Sequence, residues 1–335
     1  MKAYNLEESK EIYHALCQNE PTINIYSQGW YLDAVVGKKS DWKVVLVEEK
    51  GEIQAAFSFQ YTKKHGLYYI ENPWQSSRGG IWIRKNVFKS KRDELVFQRK
   101  VVNCIIDALP KFDVFKINFN SDFINWQPLY WNGFFEQTNY SMIIEPGVED
   151  VLSNISSRRR NQIRNGLNKY RVKENSITLE QYWSMFEMSC HLRGMSPLYS
   201  RDAFFTLYKG LNEHNACIMR CAENIEGEVV AGSIIIYDKS RHYDQFSFYI
   251  PEKGNEANAI LKYYAIEYAN KLNCIFDFEG SMIPGVCEYN ATFNPHWEPY
   301  HFIYKYSLRY QFLHAIKMVI KACKVEEKNI NKKNG

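Results

Sequence analysis

The sequence predicts an α/β fold built from two similar halves, and three observations lead to this expectation. A hairpin, a third strand, a helix, a buried strand and a closing strand occur in the same order in each half. A length of 335 residues suits two domains, at a prior of about 150 residues for each. A hydrophobic content of 45% allows each half to bury a core of its own. We therefore expect a tandem duplication in which each half is a mixed, mostly antiparallel sheet flanked by helices.

The first half begins with helical patterns. Residues 6–19 predict a helix, and a second short helix carries Trp30-Tyr31-Leu32. Apolar runs on both sides of Lys50-Gly51 predict a hairpin. The expected elements that complete this half are strands over 42–48, 53–61, 67–70, 112–120 and 134–144 and a helix over 90–109. Pro146-Gly147 marks the end of the half.

An irregular loop interrupts the first half over residues 71–80. It brings Trp74, Gln75 and Arg78 together on a backbone that is loosened by two glycines. Loops of this kind either bind a ligand or simply connect strands, and both interpretations stay open. In the first interpretation these three side chains are substrate-binding residues.

The second half opens with a basic helix over 156–164 and then repeats the order of the first. The expected elements are helices over 179–192 and 201–213, strands over 216–223, 229–237 and 243–250, a helix from residue 256, a strand over 274–279, a closing strand over 300–306 and a last helix over 308–323. We therefore expect domains at 1–146 and 147–306, followed by a helix and basic tail at 307–335.

Two acids stand at the end of the buried strand in the second half. Period-two alternation places Asp277 and Glu279 on one face, at the carboxyl end of the strand, where open α/β sheets bind ligands. The matching strand of the first half carries Asn118 and Asn120 instead. If both strands face a central cleft, the second half performs charge-dependent chemistry and the first recognises substrate through neutral groups. The alternative is a solvated strand end.

A family resemblance now becomes visible. Residues 255–266, followed by Phe276–Met282, resemble the FemAB/FemX-like branch of the GNAT N-acyltransferase superfamily, and its acetyltransferase-like members most closely. Residues 125–134, Trp30-Tyr31-Leu32 and the helix with Arg159–Arg164 are also similar to that group. The resemblance implies two GNAT-like domains with a cleft between them. It also implies transfer of an acyl or aminoacyl group to an amine.

Amine acylation suggests roles for the residues around the acid pair. The reaction needs a base for the amine proton and donors for the developing oxyanion. Glu279 is the candidate base with Asp277 beside it, and Tyr249 at a strand end is a candidate acid for a leaving thiolate. Ser281 is a candidate for holding substrate. In the competing interpretation both acids orient the acceptor or bind cations from the other half.

The start of the helix near residue 256 is the expected donor site. Gly254, Asn255 and Asn258 stand where GNAT enzymes hold the donor. Arg160 and Arg164 are four residues apart and share a helix face, so they are further candidates for a phosphate of CoA, a nucleotide sugar or a tRNA end.

The donor itself stays open. Acyl-CoA sites have a Gln/Arg-x-x-Gly-x-Gly/Ala turn, where this chain has Glu252 and Glu256, and these acids repel phosphate. We expect acyl-CoA as co-substrate, no tightly bound organic cofactor and no metal. The alternatives are a Fem-type enzyme that uses aminoacyl-tRNA on a peptidoglycan precursor, and a non-catalytic binding module whose Trp74 loop recognises a glycan or peptide.

Composition and charge address the partners. The net charge is +4, and no basic stripe or known module predicts DNA binding. No apolar signal core or membrane span is visible, so we expect a cytoplasmic protein. The acceptor is expected to be a small-molecule or cell-envelope amine such as an amino sugar. The last helix either docks its apolar face onto the first domain, which we favour, or rests on an anionic membrane. The oligomeric state stays open.

Overall fold

The computed structural model describes residues 1–4, 8–36, 41–251, 253–280 and 283–319. It divides into two compact units, each assembled from separate segments of the chain. The first unit contains Met1–Asn19, Val36–Thr138 and the segment from His301 onward. The second unit contains Glu20–Val35 and Asn139–Tyr300.

Runs of strands and of helices follow one another along the chain. The strands are β1 (Lys2–Ala3), β2 (Asp41–Glu49), β3 (Glu52–Lys64), β4 (Leu67–Glu71), β5 (Gly80–Ile83), β6 (Val114–Asn118), β7 (Phe135–Ile144), β8 (Arg171–Glu174), β9 (Cys217–Glu223), β10 (Val229–Tyr237), β11 (Arg241–Tyr249), β12 (Ile275–Asp277) and β13 (His296–Tyr306). The helices are α1 (Ser9–Asn19), α2 (Gly29–Val36), α3 (Lys91–Ala108), α4 (Gln127–Trp131), α5 (Val151–Asn154), α6 (Ser157–Leu167), α7 (Leu179–Leu192), α8 (Arg201–Glu213), α9 (Asn255–Lys271) and α10 (Pro284–Ala291). A 3₁₀ turn covers Ile25–Ser27, and residues 308–319 are also helical.

The sheet of the first unit runs β1-β2-β3-β4-β6-β13, with β5 also paired to β3. The β2–β3 hairpin turns at Lys50 and Gly51, which both have positive φ, as the tight turns that match strand twist require. Strand β6 pairs in parallel with β4, and α3 precedes it in the chain. The core packs α3 against the sheet through residues such as Val101, Phe115 and Ile117.

The sheet of the second unit runs β7-β12-β11-β10-β9-β8. Here β9 and β10 form the hairpin, β11 is the third strand, and α9 leads into β12, which pairs in parallel with β11. Phe276 and Phe278 lie in a core together with residues of α6 and α9 such as Ile163 and Ile266. The predicted repetition of hairpin, third strand, helix and buried strand is therefore confirmed within each unit, and in both units the buried strand is parallel to the third strand.

These two units are not the contiguous domains 1–146 and 147–306 that we expected from the sequence. Residues 20–35 belong to the second unit, where the Trp30 ring stacks on His214 at 4.2 Å and Asn24 Nδ2 donates to Tyr243 Oη at 2.6 Å. The last helix belongs to the first unit, where Ser307 Oγ donates to Asp113 Oδ1 at 2.8 Å. These contacts join residues about two hundred positions apart. Local sequence patterns carry no signal for them.

The described part of the last helix does not dock in the way that the sequence predicted. We expected its apolar face to dock onto the first domain, yet Leu308 is 84% exposed and Phe312 is 68% exposed. Tyr310 makes the contact instead, because its ring stacks on Tyr306 at 5.0 Å. The predicted end of this helix at residue 323 lies outside the described residues. Among the described helices, none combines the length and hydropathy needed to cross a membrane.

We predict a pH-dependent stability from His242. This residue is buried in β11, and burial lowers its pKa to about 4 from an ordinary value of 6.5. Below pH 6.5 His242 therefore binds a proton in the unfolded chain but stays neutral in the folded protein until the pH approaches about 4. The free energy of unfolding consequently falls as the pH falls. The expected loss from this residue is about 2 kcal/mol between about pH 7 and about pH 5.

Urea denaturation of the wild type and of His242→Phe at both pH values measures this loss. Phenylalanine keeps a ring against Tyr237, which stacks on His242 at 5.2 Å, but it cannot bind a proton. The variant should therefore lose less free energy than the wild type on acidification. Equal losses in the two proteins would contradict the assignment.

Candidate active site

A large cavity opens within the second unit. Its volume is about 1080 Å³, slightly above the usual range for small-molecule sites. It is lined by residues of α6, α9, α10 and β11 and by the segment that follows β12. The charged side chains of the lining are Arg158, Arg159, Arg193, Asp244, Lys262, Glu279 and Glu288. The lining also includes exposed apolar side chains, with Leu198 at 92% and Ile283 at 65% exposure.

Glu279 lies in this lining and accepts a strong hydrogen bond. Tyr26 Oη lies 2.6 Å from Glu279 Oε1 and 2.8 Å from Gln245 Oε1, so its hydroxyl has two acceptor oxygens within hydrogen-bond distance. Burial raises the pKa of Tyr26 well above its ordinary value, and the nearby Glu279 charge acts in the same direction. Tyr26 therefore keeps its single proton, for which the charged Glu279 carboxylate is a stronger acceptor than the neutral Gln245 oxygen.

Asp277 lies in the core rather than in the cavity lining. Its side chain is fully buried and accepts from Arg241 Nη1 at 2.6 Å, from the Glu279 backbone N–H at 2.8 Å and from Ser141 Oγ. Arg241 also forms a bidentate pair with Glu298, at 2.7 and 2.8 Å. These bonds satisfy a charge that would otherwise be costly to bury. They also fix the start of the loop that carries Glu279.

The two acids therefore do not form the same-face pair that strand alternation predicted. β12 ends at Asp277, and Glu279 and Gly280 have φ values of 67° and 65°, in the left-handed region. A Cβ atom at Gly280 would lie only 2.7 Å from the Tyr140 carbonyl oxygen, so glycine is required there. This turn separates the carboxylates: the Asp277 side chain is buried, whereas Glu279 reaches the cavity.

A buried ion pair forms another part of the lining. Lys262 Nζ of α9 donates to Asp244 Oδ2 of β11, and both side chains are almost fully buried. Burial lowers the pKa of Lys262 to about 7, and the Arg159 guanidinium acts in the same direction. The Asp244 carboxylate opposes this shift because it favours the charged ammonium. The cavity therefore contains a lysine whose proton is held less tightly than usual.

Other residues predicted in the second half have different positions. Tyr249 and Asn258 line the cavity, and Asn258 Nδ2 donates to Tyr289 Oη at 3.1 Å. Gly254 caps α9, where a Cβ atom would lie 2.4 Å from the Val230 carbonyl oxygen. Its place at the helix start therefore also reflects close packing.

Two of the predicted positions are not fully described. α9 begins at Asn255, whose side chain lies outside what the structure describes. Ser281 lies outside the described residues altogether. The roles predicted for both stay predictions.

Arg160 and Arg164 do not appear in the cavity lining. Arg160 Nη1 donates to the Ser153 carbonyl at 3.0 Å, and Arg164 is exposed in the last turn of α6. The face of α6 that lines the cavity carries Arg158 and Arg159 together with Gln162. Spacing showed that two arginines four apart share a face, but only packing determines which face meets the cavity.

The residues predicted in the first half lie together in the first unit. The Asn118 backbone N–H donates to Asn72 Oδ1 at 2.7 Å, and the Gly79 N–H donates to the Asn118 carbonyl at 2.9 Å. The Asn120 N–H donates to the Gly79 carbonyl at 2.9 Å. These bonds hold the loop with Trp74, Gln75 and Arg78 against the end of β6. Arg78 is only 3% exposed.

Sequence reasoning missed several residues that shape the site. They are Tyr26, Arg158, Arg159, Arg241, Asp244, Lys262 and Glu298. For Lys262 a signal was available, because it stands four residues after Asn258 on the same face of a predicted helix. For Tyr26 there was none, because its partner Glu279 is 253 residues away.

Comparisons with solved structures identify the fold. FemX superposes with a TM-score of 0.68 at 14% identity, over 90% of this chain and 97% of that one. L-PGS from Bacillus licheniformis superposes with a TM-score of 0.53 at 13% identity, over 92% and 96% of the two chains. The C-terminal domain of a protein named as a lysylphosphatidylglycerol synthetase from Agrobacterium fabrum has a TM-score of 0.55 at 10% identity, over 94% and 97%. No protein-family model and no curated protein matches the sequence.

We predict different stability effects for the two acids. Asp277→Ala removes the buried acceptor of Arg241 and of the Glu279 N–H, so the free energy of unfolding should fall by about 3 kcal/mol or more. Glu279→Gln keeps an oxygen for the Tyr26 hydroxyl and should cost less than about 1 kcal/mol. Chemical denaturation of both variants measures these changes. Similar values would show that Asp277 does not support the site as described.

Proposed function

We propose that this chain transfers an acyl or aminoacyl group to an amine, because it has the fold of the FemX-like branch of GNAT proteins. One observation carries the proposal: Glu279 enters a cavity of about 1080 Å³ that also contains the buried Lys262. One neighbour supports the same reaction class, since a lysylphosphatidylglycerol synthetase is named for an aminoacylated product.

The proposed reaction uses Glu279 as its base. The acceptor nitrogen attacks the donor carbonyl carbon, so that a C–N bond forms and the bond to the leaving sulfur or oxygen breaks. The Glu279 carboxylate takes the proton that the amine loses. Tyr26 donates to this carboxylate and holds it in place, and the Glu279 backbone is held in turn by Asp277. Asp277 is thus a positioning residue in this proposal, not a second base.

Lys262 and Tyr249 complete the proposed chemistry. The Lys262 Nζ supplies positive charge to the carbonyl oxygen as negative charge develops on it, in a setting from which water is largely excluded. Tyr249 gives a proton to the leaving group. Both side chains line the same cavity as Glu279.

The acceptor in this proposal is a small-molecule or cell-envelope amine such as an amino sugar. The proposed acceptor-binding residues of the first unit are Trp74, Gln75, Arg78, Asn118 and Asn120. This assignment is supported by the backbone hydrogen bonds that hold the loop with Trp74, Gln75 and Arg78 against the end of β6.

The donor is proposed to be acyl-CoA, and aminoacyl-tRNA is the second candidate. A specific observation favours the second: Glu256 stands in the first turn of α9 and pairs with Lys169 at 2.9 Å. An acid at this helix start competes with a pyrophosphate for the positive end of the helix. Arg158, Arg159 and Arg193 then offer the cationic groups of the cavity to donor phosphates.

A donor comparison is the first functional test. A donor that binds the native state should raise the melting temperature in a saturable manner, so acetyl-CoA, longer acyl-CoAs and aminoacyl-tRNA are titrated in parallel. A shift with acyl-CoA alone supports the first candidate. Binding of aminoacyl-tRNA that weakens steeply with salt supports the second. No shift with any donor would contradict a transferase and favour a binding module.

Glu279→Gln tests the proposed base. The variant keeps the size of the side chain and an acceptor for Tyr26 but cannot take a proton, so the turnover rate should fall about 10²- to 10⁴-fold. Glu288→Gln is the matched control, because it removes an acid from the same cavity lining at an exposed position. The control should keep most of its activity in a transfer assay with the donor that binds. Equal activity of both variants would exclude Glu279 as the base.

A further inference from the structure

We propose that the helix over residues 308–319 docks the first unit on an anionic lipid membrane. This proposal is independent of the transferase proposed above, because it rests on a surface of the first unit and not on the cavity.

An exposed apolar stripe runs along this helix. The stripe consists of four side chains at spacings of four, four and three residues: Leu308 (84% exposed), Phe312 (68%), Ile316 (41%) and Val319 (63%). At about 100° per residue these positions fall within an arc of about 80°. A continuous apolar stripe of this exposure is unusual for a surface that meets only water.

Tyr310, near the start of the helix and opposite the stripe, contacts the first unit. Tyr310 is half-buried and stacks on Tyr306 of β13 at 5.0 Å, and His314 follows one turn later with its ring 5.7 Å from Tyr310. Tyr310 and His314 lie about 180° around the helix from the centre of the stripe. The stripe therefore faces away from β13.

The charges around the stripe have one sign. Arg309 borders it, Lys317 lies further round the helix towards the face of Tyr310, and residues 308–319 contain no Asp or Glu. Arg309 lies beside the β3–β4 turn, where a Cβ atom at Gly66 would be 3.6 Å from its Nη2 and where Lys63 is exposed. The sequence after residue 319 adds five lysines against two glutamates.

This charge pattern selects an anionic lipid surface as the occupant. Interfacial helices insert aromatic and aliphatic side chains between the lipids, while Lys and Arg on their flanks meet anionic headgroups. A second copy of the chain would bring like charges together along the same seam, so self-association is disfavoured. Charge complementarity therefore favours a membrane over a copy of this surface.

Vesicle co-sedimentation of the full chain tests the proposal. The wild type should bind vesicles that contain phosphatidylglycerol at least about tenfold more tightly than pure phosphatidylcholine vesicles, and added salt should weaken this binding. Phe312→Asp should lose about tenfold or more in affinity. Val87→Asp is the matched control, since Val87 is a fully exposed apolar residue elsewhere in the first unit. The control should bind like the wild type.

Three outcomes would overturn the proposal. The first is no binding to the anionic vesicles, and the second is equal binding by Phe312→Asp and the wild type. The third is concentration-dependent dimerisation without vesicle binding, which Phe312→Asp abolishes, because it would assign the stripe to self-association. The donor titration without vesicles is run on the same variant. An unchanged response there separates a failure of membrane docking from a failure of the proposed transferase.

Discussion

The site depends on one buried charge, the carboxylate of Asp277. Such a charge is tolerated in a protein core only when hydrogen bonds and an opposite charge compensate for the lost water. Arg241 and Ser141 supply that compensation, and the Glu279 backbone N–H supplies a further donor. This last bond connects the core to the cavity, because it holds the turn that directs Glu279 outward. The Asp277 side chain thus bonds to the backbone of the turn that carries Glu279.

The two units show how one topology can support different chemistry. In each unit a parallel strand follows a helix and pairs with the third strand of the antiparallel set. In the second unit this strand ends in Asp277, which anchors a charged network. In the first unit it ends in Asn118, whose backbone groups bond to Asn72 and Gly79 of a loop. Charged groups line the cavity of the second unit, whereas the matching strand end of the first carries amides.

Burial also modifies the groups that the cavity contains. Lys262 stands almost without solvent beside Asp244 and Arg159, so its proton is held less tightly than on an exposed lysine. Tyr26 is affected in the opposite sense, because burial keeps its hydroxyl protonated and available as a donor to Glu279. Both effects follow from the cost of charge in a medium that water does not reach.

The sequence by itself determined the elements and their repetition. Hydrophobic periodicity reports which face of a segment is buried, and this sufficed for helices such as α7 and α8 and for the β2–β3 hairpin. The sequence also singled out Glu279, because such sheets bind ligands at the carboxyl ends of their strands, and Glu279 does line the cavity.

The tertiary structure alone decided which side chains share the cavity. Alternation failed beyond Asp277, because Glu279 and Gly280 leave the strand with positive φ. Tyr26 and Arg241 join the site through contacts with residues 253 and 36 positions away. A periodic pattern describes neighbours along the chain, whereas the site consists of neighbours in space, and only the packed fold specifies those.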